Sequence, residues 1–114
     1  MSKAEEKFSE YWKQHQELFP FEREYRFHGV RRWRLDFANL EYKLAVEIQG
    51  SGWGHGGTSK SLASDIEKHQ ALVLLGWKYF PIAAGAVTKD VDIAVEPLIE
   101  WINKYTNKKI KVGW

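Results

Sequence analysis

A chain of 114 residues is long enough to bury one hydrophobic core unaided and too short for two ordinary domains. It contains no cysteine, which excludes a disulfide framework or a thiolate-bound metal and fits a reducing cytosol. The formal net charge of +2 does not by itself argue for nucleic acid, and no apolar run approaches the roughly 20 residues of a membrane span.

The polar start, MSKAEEKFSE, lacks a secretory signal core, so a cytoplasmic protein is expected. Residues 3–19 carry Phe8, Tyr11, Trp12, His15, Leu18 and Phe19 three or four apart. That spacing predicts an amphipathic helix with Ser2 as N-cap and Pro20 as stop. Residues 21–27 alternate imperfectly and lead into a His28-Gly29 turn, whereas 30–38 alternate cleanly. In 44–49, Leu44, Val46 and Ile48 alternate with Ala45, Glu47 and Gln49, so three strands in a meander are expected.

A glycine-rich loop, SGWGHGG, occupies 51–57. Residues 59–75 then read as a helix with Leu62, Ile66, Val73 and neighbouring apolar residues on its buried side and Gly76 as its stop. WKYFPIA, 77–83, reads as a short strand whose Pro81 favours an edge or a strand end. A last helix is expected over 88–105 around Val91, Val95, Leu98, Ile99 and Ile102. Neither an internal repeat nor a domain boundary interrupts 1–114. The expectation is one α/β domain, ordered αβββαβα, with a mixed central sheet flanked by helices.

The second and third strands can be set against each other. If Asn39 pairs with Leu44, the numbers of opposed residues sum to 83, which places Asp36 opposite Glu47 and Arg34 opposite Gln49. Alternation then projects these four from one face and Leu35, Phe37, Val46 and Ile48 from the other. Opposed carboxylates about 5 Å apart at Cβ repel unless a cation separates them. A divalent ion with hard oxygen ligands, Mg²⁺ or Mn²⁺, suits the position, and Arg34 is the alternative neutralising group. Basic residues cluster at Arg23, Arg26, Arg31, Arg32 and Arg34, and again at Lys104, Lys108, Lys109 and Lys111. Such patches can follow a phosphate backbone or simply be solvated surface.

RLDFA followed by AVEIQG resembles the PD-(D/E)XK nuclease superfamily, which shares the core fold of restriction endonucleases. More closely, REYRF, RRWRLDFA, KLAVEIQG, the Gly/His-rich loop and DIEKHQALVLLGW resemble small phage and prophage endonucleases. Those are related to Holliday-junction resolvases and to the VRR-NUC group. The resemblance spans about residues 5–84. Its short D…ExQ element is unspecific, and the combined run 23–77 carries it.

The resemblance implies a restriction-endonuclease-like core and a metal-dependent endodeoxyribonuclease acting on duplexes, junctions, flaps or nicks. Its host would be a bacterial or phage-infected cell. Asp36 and Glu47 match the metal-binding carboxylates, with the Ile48 carbonyl as a further ligand. Glu5 resembles the helix glutamate that completes the shell; Glu6 is its neighbour, and Glu22 and Glu24 rank below it. Gln49 stands where the motif has lysine. Lys68 or His55 would replace that lysine, although Lys68 can equally pair with Asp65 and His55 can cap its loop. Arg26, Arg31, Arg32 and Arg34, with the amides of Gly54 and Gly56, would contact DNA. Asp65 either supports the site or complements a helix dipole. Trp53 would touch a base or sugar, or pack over the loop; His15, His28 and His69 read as packing or surface. Cutting both strands would call for a homodimer or two successive nicks. A catalytically degenerate nuclease fold that binds DNA or protein is the alternative, and Gln49 favours it.

Overall fold

In the computed structural model, residues 2–50 and 59–111 are described. The loop bearing Trp53, Gly54, His55 and Gly56 lies outside them. The elements are α1 (Lys3–Trp12), β1 (Glu22–Arg26), β2 (Arg34–Asn39), β3 (Leu44–Gln49) and α2 (Ser59–Leu74), followed by β4 (Lys78–Ala83), α3 (Ala84–Lys89), α4 (Val91–Ala94) and α5 (Glu96–Tyr105). The strands form one mixed sheet in the order β1-β2-β3-β4, antiparallel up to β3 and parallel between β3 and β4. A parallel pair needs a crossover, and α2 supplies it. β4 lies at an edge, where the missing N–H of Pro81 is tolerated.

The two faces carry separate cores. On one, Phe8 and Trp12 of α1 and Leu98, Ile99 and Ile102 of α5 pack on Phe37, Leu44, Val46 and Ile48. On the other, Leu72 of α2 and Trp77 pack on Leu35, Ala38 and Ala45. Strict alternation along β3 makes this division, because Leu44, Val46 and Ile48 go one way and Ala45 the other.

β2 departs from the expected pattern. Leu35 joins the α2-side core while Phe37 joins the opposite one, so the alternation breaks at Asp36. β1 breaks in step. Arg23, paired with Phe37, lies over its ring, whereas Tyr25, paired with Leu35, packs on the α2 side. Between them Glu24 takes a φ of 50°, a left-handed conformation that turns the strand over.

Other boundaries are corrected by tertiary bonds. α1 stops at Trp12 instead of continuing to 19, because the Trp12 indole donates to the Phe19 carbonyl at 2.8 Å. The Gln16 amide brackets the Phe21 backbone with bonds of 2.9 and 3.2 Å. These contacts turn the chain through 13–18 and leave Leu18 exposed. β2 starts at Arg34, not Val30, since His28 Nδ1 accepts the N–H groups of Val30 and Arg31 and holds a turn there. The single helix expected over 88–105 is instead α3, α4 and α5. Extended Asp90 breaks it and caps α4, and Pro97 stands in the first turn of α5. α2 ends as expected at Gly76, whose φ is +82°. Its burial is not as expected: Leu72 is the residue that seats it, and Leu62, Ile66 and Val73 are exposed. No helix among the described residues is long and apolar enough to cross a membrane.

Candidate metal and phosphodiester site

β2 and β3 pair as Asn39–Leu44, Ala38–Ala45 and Phe37–Val46, the register read from the hairpin. Beyond Phe37 the backbone ladder gives way to side chains. The Asp36 N–H donates to Glu47 Oε2 at 2.9 Å, and the Ile48 N–H donates to Asp36 Oδ2 at 2.8 Å. Each carboxylate is therefore held by an amide of the opposite strand, which fixes both where the strands part.

Lys68 reaches this pair from α2. Its Nζ lies 2.5 Å from Glu47 Oε1 and donates to the Arg34 carbonyl at 2.7 Å. Glu47 is only 7% exposed, so a countercharge is needed. Lys68 provides that charge in place of Arg34, whose guanidinium lies 3.8 Å from Glu24. Lys68 is thus engaged inward and not with Asp65.

One cation facing two carboxylates leaves the balance negative. Burial, then the charge of Glu47, pushes the Asp36 carboxyl up to about 7; the Ile48 N–H and Lys68 oppose this, and Glu5 adds to it. A divalent ion would relieve that repulsion. The donors suit one: two hard carboxylates and a neighbouring main-chain carbonyl, that of Ile48. Among the described residues no three Asp, Glu or His side chains converge. Glu5, expected as a ligand, receives the Ser2 hydroxyl at 3.1 Å at the start of α1, and its charge acts on Asp36. Two carboxylates with water and substrate oxygens are nevertheless a sufficient set for Mg²⁺.

A cavity of about 260 Å³ opens beside the carboxylates, lined by Glu47, Gln49, Asp65, Lys68, His69 and Tyr79 among others. The Gln49 amide nitrogen donates to the Tyr79 hydroxyl at 2.5 Å, so its carbonyl oxygen is left as the acceptor. The His69 ring lies 4.6 Å from that of Tyr79. Burial, followed by the charge of Glu47, raises the Tyr79 pKa, so its phenol stays protonated near neutrality. No protein-family model, curated protein or solved structure matches this chain.

The structure brings Asp36, Glu47, Gln49 and Lys68 together. Arg26 and Arg34 stand opposite each other on β1 and β2. Arg31 lies with its guanidinium 4.0 Å from the Trp33 ring centre and 3.1 Å from Glu67 on α2, and Arg32 is exposed. His55, Gly54, Gly56 and Trp53 fall outside the described residues. His15 packs between Tyr11 and Trp12, and burial lowers its pKa. Tyr79 is the residue sequence reasoning missed. Its signal was its parity in WKYFPIA, two residues from Trp77, which faces α2.

Proposed function

We propose that this chain is a Mg²⁺- or Mn²⁺-dependent endodeoxyribonuclease with a restriction-endonuclease-like core, akin to the PD-(D/E)XK superfamily. The supporting observation is the reciprocal cross-strand anchoring of Asp36 and Glu47, with Lys68 on Glu47. Asp36, Glu47 and the Ile48 carbonyl would hold the ion, which when bound polarises a phosphodiester and acidifies a water.

The chain's own groups do the rest. Lys68 carries the positive charge that Gln49 lacks, from a helix packed on the sheet rather than from β3. It offsets negative charge gained at the phosphate as the transition state forms. Gln49, held through its nitrogen by Tyr79, offers its oxygen to orient an attacking water. Arg26, Arg31, Arg32 and Arg34 hold flanking phosphates, contacts that position a duplex without reading its sequence.

Asp36→Ala and Glu47→Ala are each expected to abolish Mg²⁺- or Mn²⁺-dependent cleavage of duplex, junction, flap and nicked DNA while circular dichroism stays native. Cleavage by either variant at the wild-type rate would overturn the assignment. Lys68→Ala should lose turnover but retain Mn²⁺ binding. A second reading, a degenerate fold that binds DNA or protein without cutting, draws on Gln49 at the lysine position. Calorimetry separates the two: no heat of Mn²⁺ binding at millimolar metal favours the binder.

A further inference from the structure

The loop joining β1 to β2, residues 27–33, is braced from several sides. The Trp33 ring stacks on Phe27 at 6.2 Å and carries the Arg31 guanidinium, while His28 stands edge-on to it at 5.3 Å. His28 Nδ1 accepts the N–H groups of Val30 and Arg31 at 3.1 and 2.9 Å. Phe27 meets the Trp77 ring edge-on, and Arg31 reaches Glu67, next to Lys68 on α2. The loop is also strongly cationic. At its base Arg26 and Arg34 are paired across the two strands, a like-charge opposition that an anion relieves. Glu24, 3.8 Å from Arg34, is half exposed and offsets little of it.

This braced, basic loop holds an apolar side chain out at its tip. Val30 is 86% exposed, whereas the loop residues Leu18 and Leu40 are 42% and 45% exposed. Single exposed apolar residues are ordinary on a surface. Val30 differs because four arginines surround it in sequence and a fixed turn presents it, although it adds nothing to either core. A tip already ordered also loses little freedom on docking.

We propose that Val30 is a wedge that enters a base step of duplex DNA and partly unstacks it, while Arg26, Arg32 and Arg34 hold the phosphates around it. Apolar insertion beside cationic backbone contacts is how a protein kinks a duplex. An acidic protein surface would meet the arginines but give the valine no apolar slot; a base step offers both. The wedge is tied to the site, since Lys68 donates to the Arg34 carbonyl at 2.7 Å as well as meeting Glu47. Six residue steps separate Val30 from Asp36, at most about 20 Å of extended chain, or about six base pairs of rise. On the nuclease reading, on which this consequence rests, the opened step therefore lies within that distance of the cut. Unstacking is costly in an intact duplex and less so where a nick or mismatch has weakened the stack. The substrate class favoured is thus DNA with such a defect close to the scissile phosphate.

The test measures binding by the full chain without metal, so cleavage does not enter it. Duplexes carrying a fluorescent purine analogue, dim when stacked, at successive positions should brighten at one step or two adjacent steps. Val30→Ser should abolish the brightening with circular dichroism unchanged, since the side chain is exposed. By fluorescence anisotropy the wild type should bind nicked or mismatched duplex at least about 10-fold tighter than intact duplex, and Val30→Ser should bring that ratio to about 1. Arg32→Ala should instead weaken both duplexes alike and preserve the ratio. Binding without brightening, brightening that survives Val30→Ser, or a ratio that Val30→Ser leaves unchanged would each overturn the wedge and leave the nuclease reading standing. Failure to bind any duplex would overturn the wedge as well, whereas the nuclease reading is decided by cleavage in the Asp36 and Glu47 variants.

Discussion

Asp36→Asn should make the protein more stable at pH 8 and leave it unchanged at pH 4. The Asn oxygen can still accept the Ile48 N–H, so the substitution removes charge and little else. Folding raises the Asp36 carboxyl from 3.8 to about 7, because burial and Glu47 both oppose its ionisation. A raised acid favours the folded state while it remains protonated. That stabilisation is complete below the unfolded value near 4 and is lost as pH climbs through about 7. At 1.36 kcal/mol per pH unit the loss has a ceiling of about 4 kcal/mol. Asp36 is only partly buried, and solvent screening reduces the expected figure to about 1–2 kcal/mol. Urea denaturation followed by circular dichroism, repeated from pH 4 to 8, measures the difference between wild type and variant. The gap should open across that window. An Asn variant that is less stable at pH 8, or a gap of constant size, would show that Asp36 does not bear the repulsion.

Three further outcomes follow from the same geometry. Lys68→Met leaves Glu47 buried without its cation and should cost about 2–3 kcal/mol in denaturation, with the Asp36 titration moving further up. Tyr79→Phe releases the Gln49 amide, so turnover should fall about 3–10-fold with Mn²⁺ affinity unchanged; a matching loss of affinity would assign Tyr79 to the metal shell instead. Trp12→Phe removes the indole donor from the buried Phe19 carbonyl and should cost about 1–3 kcal/mol, read from the urea midpoint.

The hairpin was legible because its apolar positions alternate and its loop is short: Asn39 pairs with Leu44 as expected, although the ladder ends at Phe37–Val46 and the carboxylates of Asp36 and Glu47 meet the opposite strand through side-chain bonds instead of as a paired rung. Other features depend on contacts distant in sequence. Apolar spacing runs unbroken to Phe19, yet one indole–carbonyl bond across seven residues ends α1 at Trp12. The face change at Leu35 hangs on a left-handed Glu24, a residue type that carries no turn signal. On α2 the apolar positions were visible but not their direction, because periodicity shows that a stripe exists and not which stripe the sheet takes. Lys68 was singled out through resemblance and not spacing, since its partner lies 21 residues earlier on another element.

The exchange of amides between Asp36 and Glu47 makes the site self-reporting. The amide protons of residues 36 and 48 each end on a carboxylate oxygen rather than on a carbonyl. Their NMR chemical shifts and hydrogen-exchange rates are therefore gauges of charge at the centre. Protonating Asp36 should move the residue 48 resonance, and a ligand drawing on Glu47 should move that of residue 36. Occupancy of the site can thus be followed one carboxylate at a time, with no substrate present.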